Sequence, residues 1–289
     1  NQEDFEKSII ELEFNLICCL SYEKKNGQWE EVISIYDEWR HYLEFIENSI
    51  PKTHVNSLEV KRTRPEDFSF VLDMSTILIE SSLAPLNVEL DQHENWFFSL
   101  DSAQRLSSKL KDFNLQTEEG IHAFNLYLTN ILKRLIRLKL CNICSGKLEA
   151  TQESKSWLEL PIQTRAINTY KTTISKLDVN HFSPALCTER NIHEIEKSLG
   201  RLIDTEWVIL SEFLDGFIAP IGQSSKMSLE KVGRKWRYTL PTYSLQEKEL
   251  MHLIIFDYLF EGGIIATGFF KGESCIKITP LGASMFGQS

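Results

Sequence analysis

Two basic stretches hold the residues of this chain whose types and spacing suit a chemical task. Lys226, Lys231, Arg234, Lys235 and Arg237 surround Trp236 and Tyr238. Aromatic rings set among guanidinium and ammonium groups can stack on bases while the cations meet phosphates. Lys133, Arg134, Arg137 and Lys139 are interleaved with Leu132, Leu135, Ile136 and Leu138. At helical spacing Lys133, Arg134 and Arg137 share one face, from which they are expected to reach phosphates while the leucines pack inward. The competing reading is a solvated face near a helix C-terminus, where the helix dipole alone favours cations. Lys147 and Lys271, each beside a glycine in a short turn, are weaker candidates, since loops carry lysine routinely.

Other chemistries find no support in the residue pattern. There is no glycine-rich phosphate loop with its lysine and no Gly-x-Ser-x-Gly elbow, which argues against an ATPase or a hydrolase. The seven histidines show no HxH or HxxxH spacing, so a metal-hydrolase site is not expected. Cys141-Asn-Ile-Cys144 is the one cysteine pair at ligand spacing, and a structural zinc would need a second pair or two histidines to match it. A redox CxxC follows a strand and opens a helix, whereas this pair follows a helix and leads into a turn. The chain is therefore read as non-enzymatic, with no catalytic residue, metal or cofactor. A divergent enzyme fragment whose catalytic half lies outside these residues is the lesser alternative.

Composition narrows the partners. The 289 residues, 42% of them hydrophobic, suffice for two or three small domains. With 31 basic and 41 acidic residues the formal net charge is −10, so nucleic acid would be held through a local basic patch, and the overall charge favours a protein partner. Every apolar run is broken before the roughly 18–20 residues a bilayer demands, and no basic stretch leads into an apolar one at the start. Six cysteines lying mostly in apolar runs fit a reducing, cytoplasmic setting.

Internal similarity organises the rest. Leu148 to Leu158 matches Ile276 to Phe286, apolar position for apolar position, with Thr151 and Thr279 as helix caps and Pro280 at a first helical position. Small turns, Ser145-Gly146-Lys147 and Lys271-Gly272-Glu273, precede each match, and a strand-like stretch precedes each turn. A long amphipathic helix is predicted ahead of each hairpin. The first starts at Thr117, and the second starts at the capping box Ser244-Leu-Gln-Glu247 and ends at Gly262-Gly263.

Ile192 to Leu202 reads as a further helix, Trp207 to Leu210 as a strand, and Ser211 as the cap of a brief helix. Phe68 to Ile79, Leu86 to Leu90 and a helix capped by Asp101 supply the same order in the middle of the chain. Helix, strand, helix, long helix, strand, turn, strand is the order of a winged helix. At the start, Glu11 to Leu20 and Trp29 to Ile35 read as two strands turning at Asn26-Gly27, followed by a helix from Tyr36. That stretch looks like the back half of a unit whose helices are missing.

Three phrases resemble the helicase-associated winged-helix regions found beside repair-type helicases and in stand-alone bacterial proteins. Ile278-Thr279-Pro280-Leu281-Gly282 is similar to their leucine-threonine-x-x-glycine junction, Trp157-Leu158-Glu159-Leu160-Pro161 to the tryptophan-leucine run that follows it, and Glu206-Trp207-Val208-Ile209-Leu210 to their tryptophan-valine strand. The likeness spans roughly residues 117–289. It departs from the pattern at Gln152-Glu153-Ser154, where the glycine is absent, and between Phe217 and Ser244. It implies a helper in a bacterial DNA-processing or defence assembly, with DNA and a helicase or nuclease as partners. The acidic winged-helix subunits of bacterial condensins are a looser parallel and point to protein binding alone.

The expectation is an α+β, helix-rich chain of tandem winged-helix units. Residues 1–60 form a partial hairpin-and-helix unit, 61–170 a full unit, and 171–289 a full unit with a basic insert. The leading function is an adaptor that binds DNA, a partner protein or both. The alternative is a protein-interaction module that touches no nucleic acid.

Overall fold

The computed structural model describes residues 2–49, 51, 53–92, 95–110, 113, 115–174, 182–203, 205–222, 227–233 and 235–287, a mixed α+β arrangement with four small antiparallel sheets among them. The N-terminal part runs α1 (Gln2–Phe14), β1 (Cys18–Lys25), β2 (Gln28–Ile35) and α2 (Asp37–Asn48). Two short strands, β3 (His54–Val55) and β4 (Lys61–Arg62), follow. The middle part is α3 (Ser69–Leu83), β5 (Leu86–Leu90), β6 (Trp96–Phe98), α4 (Leu100–Ser107), α5 (Glu118–Arg137), β7 (Cys141–Cys144), β8 (Lys147–Ala150), α6 (Gln152–Glu159) and α7 (Ile162–Ile174), with strand order β6-β5-β8-β7.

The last part begins α8 (Glu189–Gly200), β9 (Trp207–Ile209), α9 (Leu210–Asp215), β10 (Ser228–Val232) and β11 (Lys235–Thr239). It continues with α10 (Leu245–His252), whose π-helical extension covers Leu253–Leu259, then β12 (Ile265–Phe270), β13 (Glu273–Ile278) and α11 (Pro280–Phe286). Its sheet is ordered β3-β9-β13-β12-β4, so both short strands from the beginning of the chain extend it at its edges.

The long helices start where the capping residues predict. Thr117 accepts from the Gly120 amide, and Ser244 and Glu247 satisfy each other's amides in a capping box. Each long helix then ends in the same way. Lys139 and Gly263 take left-handed φ values of 58° and 68°, and the next residues, Leu140 and Ile264, each donate at 2.9 Å to a carbonyl five residues back. The hairpins turn on Ser145-Gly146 and Lys271-Gly272, with φ of 50° and 71° in one and 50° and 90° in the other, the two positive values that a tight hairpin turn needs. The chain returns when the amides of Thr151 and Thr279 donate to Leu140 and Ile264, at 3.0 and 3.1 Å.

The N-terminal part repeats this geometry a third time. Leu16 is left-handed at φ 55°, Ile17 donates to Leu12 at 2.9 Å, Asn26-Gly27 turns at 51° and 87°, and the Tyr36 amide returns to Ile17 at 3.2 Å. The strand expected over 11–20 is thus corrected. Residues 2–14 are helical, with Phe5, Ile9 and Leu12 at helical spacing, and the strand begins at Cys18. The partial unit keeps one helix ahead of its hairpin.

Two cap assignments also change. Ser99, not Asp101, caps α4 by accepting from the Ser102 amide, and Ser211 lies inside α9, whose cap Ile209 offers no side-chain acceptor.

Two main cores result. One gathers Met74, Ile77, Leu86, Leu106, Leu128, Leu135 and Leu148, and the other Ile195, Leu199, Phe213, Ile255, Leu259 and Ile276. Arg134 and Glu261, both buried, join them at 2.6 Å. The N-terminal part is tied to the last one through the Ser49 carbonyl, which lies so close to Gly216 that a Cβ there would come within 2.0 Å of it. Arg201 donates to Ser49 Oγ at 3.0 Å and Thr53 Oγ1 to Glu212 at 2.7 Å beside that contact.

Candidate functional site

The basic residues do not converge. Arg134 is buried, with its Nε donating to Glu261 and its guanidinium 4.8 Å from the centre of the Tyr258 ring, so it is a packing residue and not a phosphate ligand. A helical wheel places Arg134 beside Lys133 and Arg137 but cannot know that another helix end covers that face. Arg137 is half-buried against Tyr258, and Lys133 stays exposed. Outward, α5 presents Glu118 and Glu119 with Lys133, and α10 presents Glu249 with Lys248. Lys133 is the one fully exposed Lys or Arg of α5, and Lys248 has Glu249 beside it, so neither helix presents the cluster of cations that a phosphate backbone needs.

The basic insert contains the β10–β11 hairpin, turning at Gly233 with φ 66°. Lys226 and Arg234 lie outside the described residues, and Lys235 opens β11. Strand alternation splits the remaining cluster. Leu229, Lys231, Trp236 and Tyr238 share one face, while Glu230 and Arg237, paired across the strands, share the other. Arg237 therefore does not frame the aromatic rings.

Tyr238 turns toward α2, its ring centre 5.5 Å from that of Tyr42 and 5.8 Å from that of Phe45. Between α2 and the hairpin is an open cleft of about 530 Å³, lined by Trp236, Tyr238 and Leu229 on one side and by Asp37, Glu38, Arg40 and His41 on the other. Asp37 and Arg40 approach to 3.8 Å across one helical turn. Carboxylates thus border the ring that was expected to stack on a base. At the two hairpin tips Lys147 is exposed, and Lys271 sits with Nζ 4.8 Å from the centre of the Phe270 ring.

Cys141 and Cys144 both lie on β7, three residues apart, so they point to opposite faces. Burial pushes the Cys141 thiol up to about 12, while Cys144 is exposed. Among the described residues no three His, Cys, Asp or Glu side chains gather as a metal would require.

A different surface stands out, and it is apolar. Register places Cys18, Leu20, Tyr22, Trp29, Ile33 and Ile35 on one face of the β1–β2 hairpin. The repeated geometry equates Ile33 with Leu148 and Ile276, which are 1% and 0% exposed, yet Ile33 is 40% exposed. Leu12 of α1 likewise corresponds to Leu135 and Leu259, both 0% exposed, and is itself 39% exposed. These positions carry core residues and lack a core.

Among the described residues no strand pairs with the outer edge of β2, whereas β5 pairs with β8 and β9 with β13 at the equivalent edges. Charge is concentrated here too. Residues 1–50 hold twelve acidic and four basic side chains, and the rest of the chain holds 29 acidic and 27 basic. The alternation of Leu20 and Tyr22 with polar neighbours, mirrored by Ile33 and Ile35, was the available signal for this face.

Compared with protein-family models, with curated proteins and with solved structures, the chain matches none.

Proposed function

We propose that the chain is a non-enzymatic adaptor of tandem winged-helix units that docks a protein partner through its N-terminal half-unit. The winged-helix reading is supported by the order helix, strand, helix, long helix, hairpin in both the middle and last parts, with β6 added in the one and β10–β11 in the other. The first strand lies beside the second hairpin strand in each. The observation that carries the docking reading is the exposed apolar face of α1 and β1–β2, on which Leu12 and Ile33 stand where the counterpart residues are buried twice over in the same chain. An apolar face of this kind, rimmed by charged residues, is the mark of a protein-binding surface. The assembly implied by the sequence resemblance, with a helicase or nuclease in it, is the setting in which to seek that partner.

Nucleic-acid binding through the third helices is disfavoured by the burial of Arg134, which leaves Lys133 as the one fully exposed Lys or Arg of α5, and by Glu249 beside Lys248. Titration of fluorescent double- and single-stranded DNA checks this. The anisotropy stays flat at low salt up to roughly 10 µM protein, a concentration at which a phosphate-binding surface would register. Binding that weakens steeply with salt and with Lys231→Ala and Arg237→Ala would return the chain to the nucleic-acid readers.

A further inference from the structure

Given that docking reading, we infer that the partner completes the N-terminal half-unit with a basic amphipathic helix laid across Leu12, Leu20 and Ile33.

The two complete units show what covers this face. In the middle part the equivalent residues Leu135 and Leu148 share a core with Met74 and Ile77 of α3 and Leu106 of α4. In the last part Leu259 and Ile276 share one with Ile195 and Leu199 of α8 and Phe213 of α9. The helix preceding the first strand therefore shares the hairpin's core both times, α8 as a strongly amphipathic helix and α3 as a largely apolar one, with core residues at three-to-four spacing. The half-unit has kept the complementary half of that interface, including Phe5 at the position that Leu128 fills in α5, and among the described residues no helix lies over it. The face is thus shaped for a helix, and the outer edge of β2 beside it, unpaired among the described residues, is where both complete units add a strand.

Charge selects the kind of helix. Asp4, Glu6 and Glu11 on α1 and Glu31 on the apolar face of the hairpin are exposed around the stripe, against Lys7 and Lys24, while Glu23 and Glu30 lie on the opposite face of the hairpin. With twelve acidic and four basic residues in this part, a second copy would bring like charge against like. A helix whose polar face carries lysine or arginine meets both the apolar stripe and its acidic rim.

The test uses the full chain and three synthetic peptides of about 18 residues, five helical turns. One is a leucine/lysine amphipathic helix, one the same pattern with glutamate for lysine, and one the leucine/lysine composition scrambled. In calorimetric titrations the leucine/lysine helix binds and the other two are at least ~10-fold weaker, a difference of ~1.4 kcal/mol. Leu12→Ser with Ile33→Ser lowers its affinity at least ~10-fold, while the urea unfolding midpoint of this doubly substituted chain falls only a little because neither side chain belongs to the two main cores.

Equal binding of the scrambled peptide would overturn the inference by reducing it to charge attraction. Equal binding of the glutamate peptide would overturn the basic chemistry while leaving the docking reading in place. Sedimentation showing a dimer of the free chain that Ile33→Ser dissolves would overturn it in favour of a second copy. No binding by any peptide, with a monomeric chain, would overturn the helical partner.

Discussion

Replacing Glu261 by alanine is expected to lower the unfolding free energy by about 3–5 kcal/mol at neutral pH, the cost of stranding a buried charge. Glu261 closes the helix that α10 begins, and its carboxylate accepts from Arg134 Nε at 2.6 Å across the boundary between the two cores. Both side chains are nearly inaccessible, and the guanidinium also lies over the Tyr258 ring. Removal of the carboxylate leaves that cation among apolar groups, with Asp257, itself raised by burial, as the nearest acidic relief. Glu261→Gln keeps an acceptor for Nε and loses less. Urea unfolding of the two variants, read by circular dichroism, checks the order.

The same pair sets a pH dependence. Burial pushes the Glu261 carboxyl up to about 7 from its ordinary 4.5, and Arg134 draws it back only part of the way. Between those values the folded chain holds a proton that the unfolded chain has released. The stability this contributes is complete below 4.5 and is lost as the pH rises through about 7. The stability advantage of the native chain over Glu261→Gln, which cannot titrate, accordingly shrinks between about pH 5 and about pH 8.

Gly282→Ala carries the second large effect, a loss of about 3 kcal/mol, at the upper end of what overpacking ordinarily costs. A Cβ at Gly282 would stand 2.2 Å from the Ile264 carbonyl oxygen and 3.0 Å from Ile278 Cγ2. The approach is close because Thr279 holds the junction on both sides. Its Oγ1 accepts from the Gly282 amide at 3.1 Å and donates to the Gly263 carbonyl at 2.7 Å. At the equivalent position in the middle part stands Ser154, and there the capping bond is missing. Thr151 Oγ1 donates to Lys139 at 2.8 Å without accepting from the helix, and Ser154 Oγ turns back to the Thr151 carbonyl at 2.6 Å. A side chain at this position thus accompanies a looser start to the helix. Thermal unfolding of Gly282→Ala and of Ser154→Gly separates the two environments, the first falling sharply and the second little changed.

Much of the architecture was legible because it rests on local chemistry. Thr117, Ser244 with Glu247, and the X-Gly turns announce their roles through backbone requirements that few other residues meet. What escaped depends on partners far along the chain. Arg134 looks like a surface cation on its own helix, and only Glu261, 127 residues away, buries it. Leu16 ends α1 in a left-handed conformation without the glycine that marks the end of the last long helix at Gly263, so nothing in the sequence separates helix from strand there. In the insert, the density of lysine and arginine obscured the alternation of Leu229, Trp236 and Tyr238 that makes a hairpin. β3 and β4 are two residues each, too short for any period to show. The bare face of the half-unit was written in Leu20, Ile33 and Leu12, but a residue pattern states which side is apolar and not whether anything lies against it.

The most direct measurement is site-specific photo-crosslinking in cells that make this protein, with the photoreactive residue placed at Trp29 on the half-unit face or at Lys147 on the middle hairpin tip. The account predicts one dominant protein adduct from position 29, abolished by Ile33→Ser, and none from position 147. A nucleic-acid adduct at position 147 with no protein adduct at position 29 would contradict it.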